Sequence, residues 1–282
     1  MKAKLPPLSV FAATDVGLLR SNNEDAWASM SDIGFFALAD GMGGHQAGEV
    51  AANEALDALC LSIRAIAAKS LPLHELIVQV REAIEKANHW VYEMGRESDS
   101  LHGMGTTLCC IYWTPEAVIY AHVGDSRIYR IRDGHCEQLT TDHSLLAKWL
   151  SLGRIAEECE TPFPYKNVIT KAIGTSAQVQ PEIAVTSFEP NDQFLLCTDG
   201  LSDVLGTSDI EKILERSESL EKAVTRLIEK AKIKGSGDNI TALMVSYDSL
   251  SRQQRDNPPG SSSTPSDAFG LERPPSKPFE RS

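Results

Sequence analysis

Four aspartates in this 282-residue sequence share one placement. Asp40 follows Phe35-Phe36-Ala37-Leu38-Ala39, Asp125 follows the run Val118 to Val123, Asp199 follows Phe194-Leu195-Leu196-Cys197-Thr198, and Asp238 stands just before Ile240. Each lies beside a glycine at the edge of an apolar stretch. Gathered at one end of a fold they would repel one another, raising some carboxyl pKa values and destabilising the site unless cations filled it. Glu24, Asp25 and Asp203 can join them from adjoining loops. Oxygen ligands without Cys or His companions select hard octahedral ions, Mg²⁺ or Mn²⁺ before zinc. Two such ions about 3.5–4 Å apart activate a bridging water towards phosphorus, so phosphate-ester hydrolysis is the expected chemistry.

Plainer readings stand beside this one. A single Asp-Gly at a strand end is usually only a turn, although four together are harder to dismiss. The glycine loop invites a nucleotide, but Gln46 replaces the last glycine of G-x-G-x-x-G, and Glu49 and Val50 replace the Lys and Ser/Thr of a Walker A loop. Arg20 suits a phosphate, because a guanidinium grips two oxygens in one plane; its alternative is a surface pair with Glu24 or Asp25. His45, His122 and His143 are expected near the site and offer a general acid to the leaving alkoxide, yet each taken singly reads as structural or solvent-facing.

The elements that must position these residues follow from periodicity. Strands are expected at Ser9 to Thr14, from Gly34, and at Leu108 to Trp113, Ala117 to Val123, Arg127 to Arg132, Ile183 to Phe188, Gln193 to Thr198 and Ile240 to Tyr247. Gly124-Asp125-Ser126 reads as a tight hairpin between two of them, and Asp133-Gly134 as another turn. Amphipathic helices are expected from Gln46 to Lys69, from Leu73 to Met94, and from Ser208 to Lys234 with a break near Ser217. A capping box at Ser21 and Glu24 is an alternative for the polar segment, with only Ala26 to Met30 left to continue a helix. Asp142 to Thr175 is less regular, with a short helix near Leu145 to Leu152, another near Ile155, and a loop at Pro162-Phe163-Pro164. No fixed-period repeat is visible. Strands outnumber helices and the order is not a regular βαβα, so the expected class is α+β, an antiparallel β-sandwich with helices on its outer faces.

Composition sets the bounds. A formal net charge of −12 opposes binding to nucleic acid or an anionic membrane, and 42% apolar residues suffice for a sizeable core. Cysteines 60, 109, 110, 136, 159 and 197 show no C-x-x-C spacing; they read as reduced and mostly buried, with Cys109 and Cys110 on opposite faces of a strand. The start, Lys2 to Ala13, only imitates a signal peptide, being short and holding two prolines. No apolar run approaches the ~18 residues of a membrane span, so the cytoplasm is expected. Residues 249–282 are rich in Pro, Ser and Gly and read as a disordered tail behind a single catalytic domain of residues 1–248.

Assembled, these residues resemble the protein phosphatase 2C family of metal-dependent serine/threonine protein phosphatases, most closely its bacterial branch. The resemblance runs from about residue 9 to 247 and rests on an ordered set of motifs: Arg20-x-x-Asn23-Glu24-Asp25, Asp40-Gly41-Met42-Gly43-Gly44, Gly105-Thr106-Thr107, Gly124-Asp125-Ser126-Arg127, Asn167-Val168-Ile169-Thr170, Asp199-Gly200-Leu201-x-Asp203 and Gly237-Asp238-Asn239. It implies a four-layer αββα sandwich and assigns roles. Asp40 would bridge two metals, the Gly41 carbonyl would bind the second, and Asp199 and Asp238 would complete the first. Glu24 and Asp25 would hold metal-bound waters, Asp125 and Asp203 with Asp199 a weaker third ion, and Arg20 the phosphate. Asp142 to Thr175 would be the mobile flap.

The resemblance further implies Mn²⁺ or Mg²⁺ as cofactor, phosphorylated proteins as substrates, an opposing serine/threonine kinase, and a monomer. Two departures from the family pattern stand out. Met42 occupies a position that is His in many eukaryotic members, where it is proposed to protonate the leaving group, and Pro164-Tyr165-Lys166-Asn167 replaces a His-Pro and basic residues in the flap. The rival readings are a non-catalytic relative that binds phosphoproteins or scaffolds a complex, and an esterase for small phosphate compounds.

Overall fold

The computed structural model describes residues 5–43, 47–153 and 168–247. Its strands are β1 (Leu8–Asp15), β2 (Asp25–Met30), β3 (Phe35–Met42), β4 (Gly105–Thr106), β5 (Leu108–Trp113), β6 (Val118–Val123), β7 (Arg127–Arg132), β8 (His135–Gln138), β9 (Glu182–Thr186), β10 (Gln193–Cys197) and β11 (Ile240–Tyr247). Its helices are α1 (Ala47–Ala67), α2 (Leu73–Glu97), α3 (Leu145–Ser151), α4 (Asp199–Ser202), α5 (Thr207–Glu215) and α6 (Leu220–Ile233).

Two antiparallel sheets form, one in the order β1-β11-β10-β7-β8 and the other β2-β3-β5-β6-β9, with β4 attached to β3. Both faces of each sheet are covered, and alternation along the strands shows how. In β5, Leu108, Cys110 and Tyr112 face α1 and α2, whereas Cys109, Ile111 and Trp113 face the other sheet. In β10, Leu195 and Cys197 face α5 and α6 while Phe194 and Leu196 enter the space between the sheets. The expected αββα layering is what these alternating residues build. Alanines at 37 and 39 of β3 and at 51, 52 and 55 of α1 let helix and sheet approach closely. Trp113 locks the inter-sheet layer, with Phe194 edge-on at 5.1 Å and Phe188 at 5.2 Å.

Several expectations change. Gly124-Asp125-Ser126 is not a hairpin, because β6 pairs with β5 and β9 while β7 pairs with β10 and β8 in the other sheet. The link carries the chain across the sandwich, and Gly124 at φ +108° makes the corner. The true hairpin is β7–β8, turning on Asp133 and Gly134 at φ 51° and 80°. Residues 25 to 30 are strand rather than capped helix, since pairing with β3 buries Ala26, Ala28 and Met30. The short β4, β8 and α4 had no clear signal. Cys60, Cys109, Cys110 and Cys197 are free and buried and Cys136 is free and half-buried, as expected. Cys159, the helix expected near Ile155, the proline loop and the tail lie outside the described residues.

Candidate active site

The acidic residues gather where the two sheets end together. Asp25 and Asp40 are register partners across β2 and β3, Asp125 sits on the crossing from β6 to β7, Asp199 opens α4 directly after β10, and Asp238 precedes β11. Hydroxyls fix the backbone around them. Thr107 Oγ1 accepts from the Asp40 N–H at 3.0 Å, and the Asp40 carbonyl accepts from Thr107 N–H at 2.8 Å and from Thr106 Oγ1 at 2.9 Å. Gly105-Thr106-Thr107 is thus the clamp on the Asp40 main chain. Glu24 follows from Asn239, whose Oδ1 accepts the Glu24 N–H at 2.8 Å while its Nδ2 donates to the carbonyls of Val16 and Asn22. The Gly41 N–H donates to the Glu24 carbonyl at 3.1 Å. Gly41 is required here, because a Cβ would lie 2.0 Å from the Gly48 carbonyl oxygen.

Side-chain donors do not satisfy this cluster. Asp25 Oδ2 accepts from Thr198 Oγ1 at 3.0 Å and Thr241 Oγ1 at 2.6 Å, but its Oδ1 is buried without a partner. Six buried side-chain atoms among the described residues lack a partner, and three are the Oδ1 atoms of Asp25, Asp125 and Asp199. Burial, then mutual repulsion, raises the pKa values. Asp25 reaches about 7, Asp199 about 8 under burial and the charges of Asp125, Asp238 and Asp203, and Asp125 about 6 under burial and Asp142. Burial and the charges of Asp25, Asp199, Asp125 and Asp238 push Asp40 well above the usual carboxylate range. Glu24 is raised by burial, with Arg20 opposing. Asp203, more exposed, completes the group at the end of α4.

Arg20 pairs with neither expected partner. Its Nη2 donates to Asp238 Oδ2 at 2.8 Å, and its side chain remains 54% exposed. The histidines considered as acids are committed elsewhere: His122 is bonded to the Thr141 carbonyl, and His143 to Gly124 and Glu182. His45 is outside the described residues. Asn239 stands in the Gly237-Asp238-Asn239 motif without a role assigned to it, and Thr241 lies outside every motif, yet both shape the site. A cavity of about 1120 Å³ opens instead at the opposite end, beyond the β2–β3 turn near Asp32, Lys69, Tyr112 and Trp113. The acid cluster is distinguished by its chemistry and not by its volume.

The sequence profile described as "Protein phosphatase 2C" matches residues 20–238. The chain belongs to the protein phosphatase 2C family. It is 35% identical over 246 residues to the serine/threonine phosphatase stp of Listeria monocytogenes, covering 86% of this chain and 97% of that protein. The crystal structure of the Mycobacterium tuberculosis serine/threonine phosphatase PstP/Ppp superposes with a TM-score of 0.78 at 33% identity, covering 86% of this chain and 99% of that one. A PstP catalytic domain solved with 2 manganese ions superposes at 0.74 with 33% identity, covering 85% and 97%. The enzyme class of this phosphatase 2C is therefore protein serine/threonine phosphatase, and its substrates are phosphoproteins. No helix among its described residues is long and apolar enough to cross a membrane.

Proposed function

We propose that this phosphatase 2C removes phosphate from phosphoserine and phosphothreonine with the help of Mn²⁺ or Mg²⁺ held in the acid cluster, two core ions and a weaker third. The observation that carries this reading is the trio of buried carboxylate oxygens, on Asp25, Asp125 and Asp199, that no donor among the described residues reaches. Such a group fits hard cations, and the two manganese ions of the PstP domain support the choice. Asp40, the Gly41 carbonyl, Asp199 and Asp238 would hold the core pair, with Asp40 shared, and Glu24 and Asp25 would hold their waters. Asp125 and Asp203, with Asp199, would hold the third. Bound there, the ions supply Lewis-acid charge to phosphate oxygens and make water more acidic.

The chain's own residues orient and select. Thr198 and Thr241 aim Asp25, Thr106 and Thr107 fix the Asp40 backbone, and Asn239 sets Glu24. Arg20, exposed and hydrogen-bonded to Asp238, can exchange that carboxylate for the oxygens of an incoming phosphate. Met42 carries a thioether, which cannot donate a proton. The same reading takes residues 1–248 as the working unit, a cytoplasmic monomer opposed by a serine/threonine kinase, and 249–282 as dispensable for hydrolysis.

Hydrolysis of a phosphothreonine peptide with and without Mn²⁺, in the wild type and in Asp40→Asn, tests this reading. Activity is expected only for the wild type with metal. Binding of the peptide without turnover would return the non-catalytic alternative.

A further inference from the structure

Among the described residues, one set of His, Cys, Asp or Glu side chains brings three ligand-type atoms within 4.8 Å of one another, and it is not the acid cluster but His122, His143 and Glu182. Hydrogen bonding argues against a metal there. The Thr141 carbonyl can only accept, so His122 Nε2 carries the proton, at 2.8 Å. The Gly124 N–H can only donate, so His143 Nδ1 carries the lone pair, at 3.1 Å, and its Nε2–H goes to Glu182 Oε1 at 2.8 Å. A metal on His143 Nε2 would force the proton onto Nδ1, against the Gly124 N–H. The two imidazoles are also stacked, 4.5 Å apart and 14° from parallel, so their in-plane lone pairs do not converge on one ion.

What these bonds hold is Gly124. Its N–H donates to the His143 ring, and its carbonyl accepts the His143 N–H at 2.9 Å, a closed reciprocal pair. On the other side, a Cβ on Gly124 would lie 2.7 Å from the Thr107 side chain, and Thr107 Oγ1 is 2.6 Å from Ser126 Oγ. The corner that presents Asp125 is therefore gripped from both flanks, and Asp125 Oδ1 is one of the buried oxygens without a donor. His143 is itself anchored to the stem of the following segment, its carbonyl accepting the Thr170 N–H at 2.7 Å. Lys171 lies 3.4 Å from His143 Nε2, which already bears its proton, so the ammonium acts on Glu182, 3.8 Å away. Burial lowers the His143 pKa, opposed by Glu182 and reinforced by Lys171.

We propose that His143 is a positioning residue for Asp125, fixing through its reciprocal pair with Gly124 where that carboxylate points, with Glu182 holding the ring in the tautomer that makes the pair possible. The role rests on reading Asp125 as a cation ligand, and the outer partner of a ligand is worth about 10–100-fold in metal affinity.

Amide hydrogen exchange at Gly124 to Ser126 in the metal-free protein, with Mn²⁺ titration calorimetry beside it, tests the role in His143→Leu, His143→Asn and Asp125→Asn. Leucine removes the acceptor, whereas asparagine puts a carbonyl oxygen where Nδ1 stood. His143→Leu is expected to speed exchange at Gly124 about tenfold or more and to weaken, about tenfold, the Mn²⁺ step that Asp125→Asn weakens. His143→Asn should return both to within about threefold of wild type. Equal behaviour of the leucine and asparagine variants, or unchanged exchange in His143→Leu, overturns the proposal. If Asp125→Asn alters no Mn²⁺ step, Asp125 is not a ligand, and the exchange data still decide the positioning. Should His143→Leu fail to fold, Glu182→Ala at an exposed position replaces it; severalfold faster exchange at Gly124 is expected, and no change overturns the role.

Discussion

Strand β10 has an aspartate beyond each of its ends, Asp192 buried and Asp199 half-buried, and among the described residues only the first has donors on both oxygens. Before the strand, Asp192 is 1% exposed with both oxygens engaged, Oδ1 by Arg132 Nε at 2.9 Å, and Oδ2 by Arg132 Nη2 at 2.7 Å and the Glu189 N–H at 2.8 Å. After the strand, Asp199 has an Oδ1 that no donor among the described residues reaches, and it faces four other aspartates. The neighbouring β7 carries an arginine at both ends, yet the one on the acidic side, Arg127, gives its guanidinium to Asp142 at 2.6 and 2.9 Å. It makes no hydrogen bond to Asp125 or Asp199, although its charge acts on Asp125. One end of the sheet is completed by charges of the chain itself. The other keeps carboxylate oxygens that no donor among the described residues meets, as suits a site completed by an ion or water.

Exchanging the roles of the two ends is the strongest way to break this contrast. Asp199→Asn should lower phosphopeptide hydrolysis by more than about 100-fold, beyond what an outer-shell loss costs. In chelator it should leave the protein at least as stable as wild type, because a repelling charge is gone; a marked fall in melting temperature would erase the distinction. Asp192→Ala should do the opposite, lowering stability by about 2–4 kcal/mol in denaturant titration as Arg132 loses its partner, with activity per folded molecule unchanged. Loss of turnover there would show that the two ends are coupled.

The acidic end should also reveal itself in pH. Asp25, Asp125 and Asp199 have folded-state values of about 7, 6 and 8, raised above the ordinary carboxylate value of 3.8. Between pH 4 and 8 the folded chain then holds more protons than the unfolded one, so metal-free stability is greatest in acid and falls as pH rises through that window. Thermal melts in chelator should show the fall, Mn²⁺ should reverse it, and Asp199→Asn should flatten it. A flat wild-type profile would mean that the carboxylates do not crowd one another. The smallest effect belongs to Arg20→Ala: KM rises severalfold while stability changes by less than about 1 kcal/mol, since the Asp238 pair is exposed. An unchanged KM would assign Arg20 to structure.

The sequence made most elements legible because their signals are local. Short continuous apolar runs mark β5, β10 and β11, which are buried on both faces, and three- and four-residue spacing marks α1, α2 and α6. It failed where the deciding contact is remote. Gly124-Asp125-Ser126 looks like a hairpin because glycine and aspartate favour turns, but β6 and β7 each find other partners in separate sheets. Proximity in the chain offers Arg20 only Glu24 or Asp25 as an alternative partner to phosphate, whereas the fold sets Asp238 beside it, 218 residues away.

By itself, then, the sequence determined which carboxylates stand at strand ends, that hard cations suit them, and which family pattern they compose, all properties of residue type and short spacing. Only the tertiary structure decided which oxygens are left without a donor, that Asn239 and Thr241 build the site, and that His122 and His143 are occupied with backbone groups rather than available as acids. Hydrogen-bond satisfaction depends on which distant strands come to lie side by side, and no short window of sequence contains that.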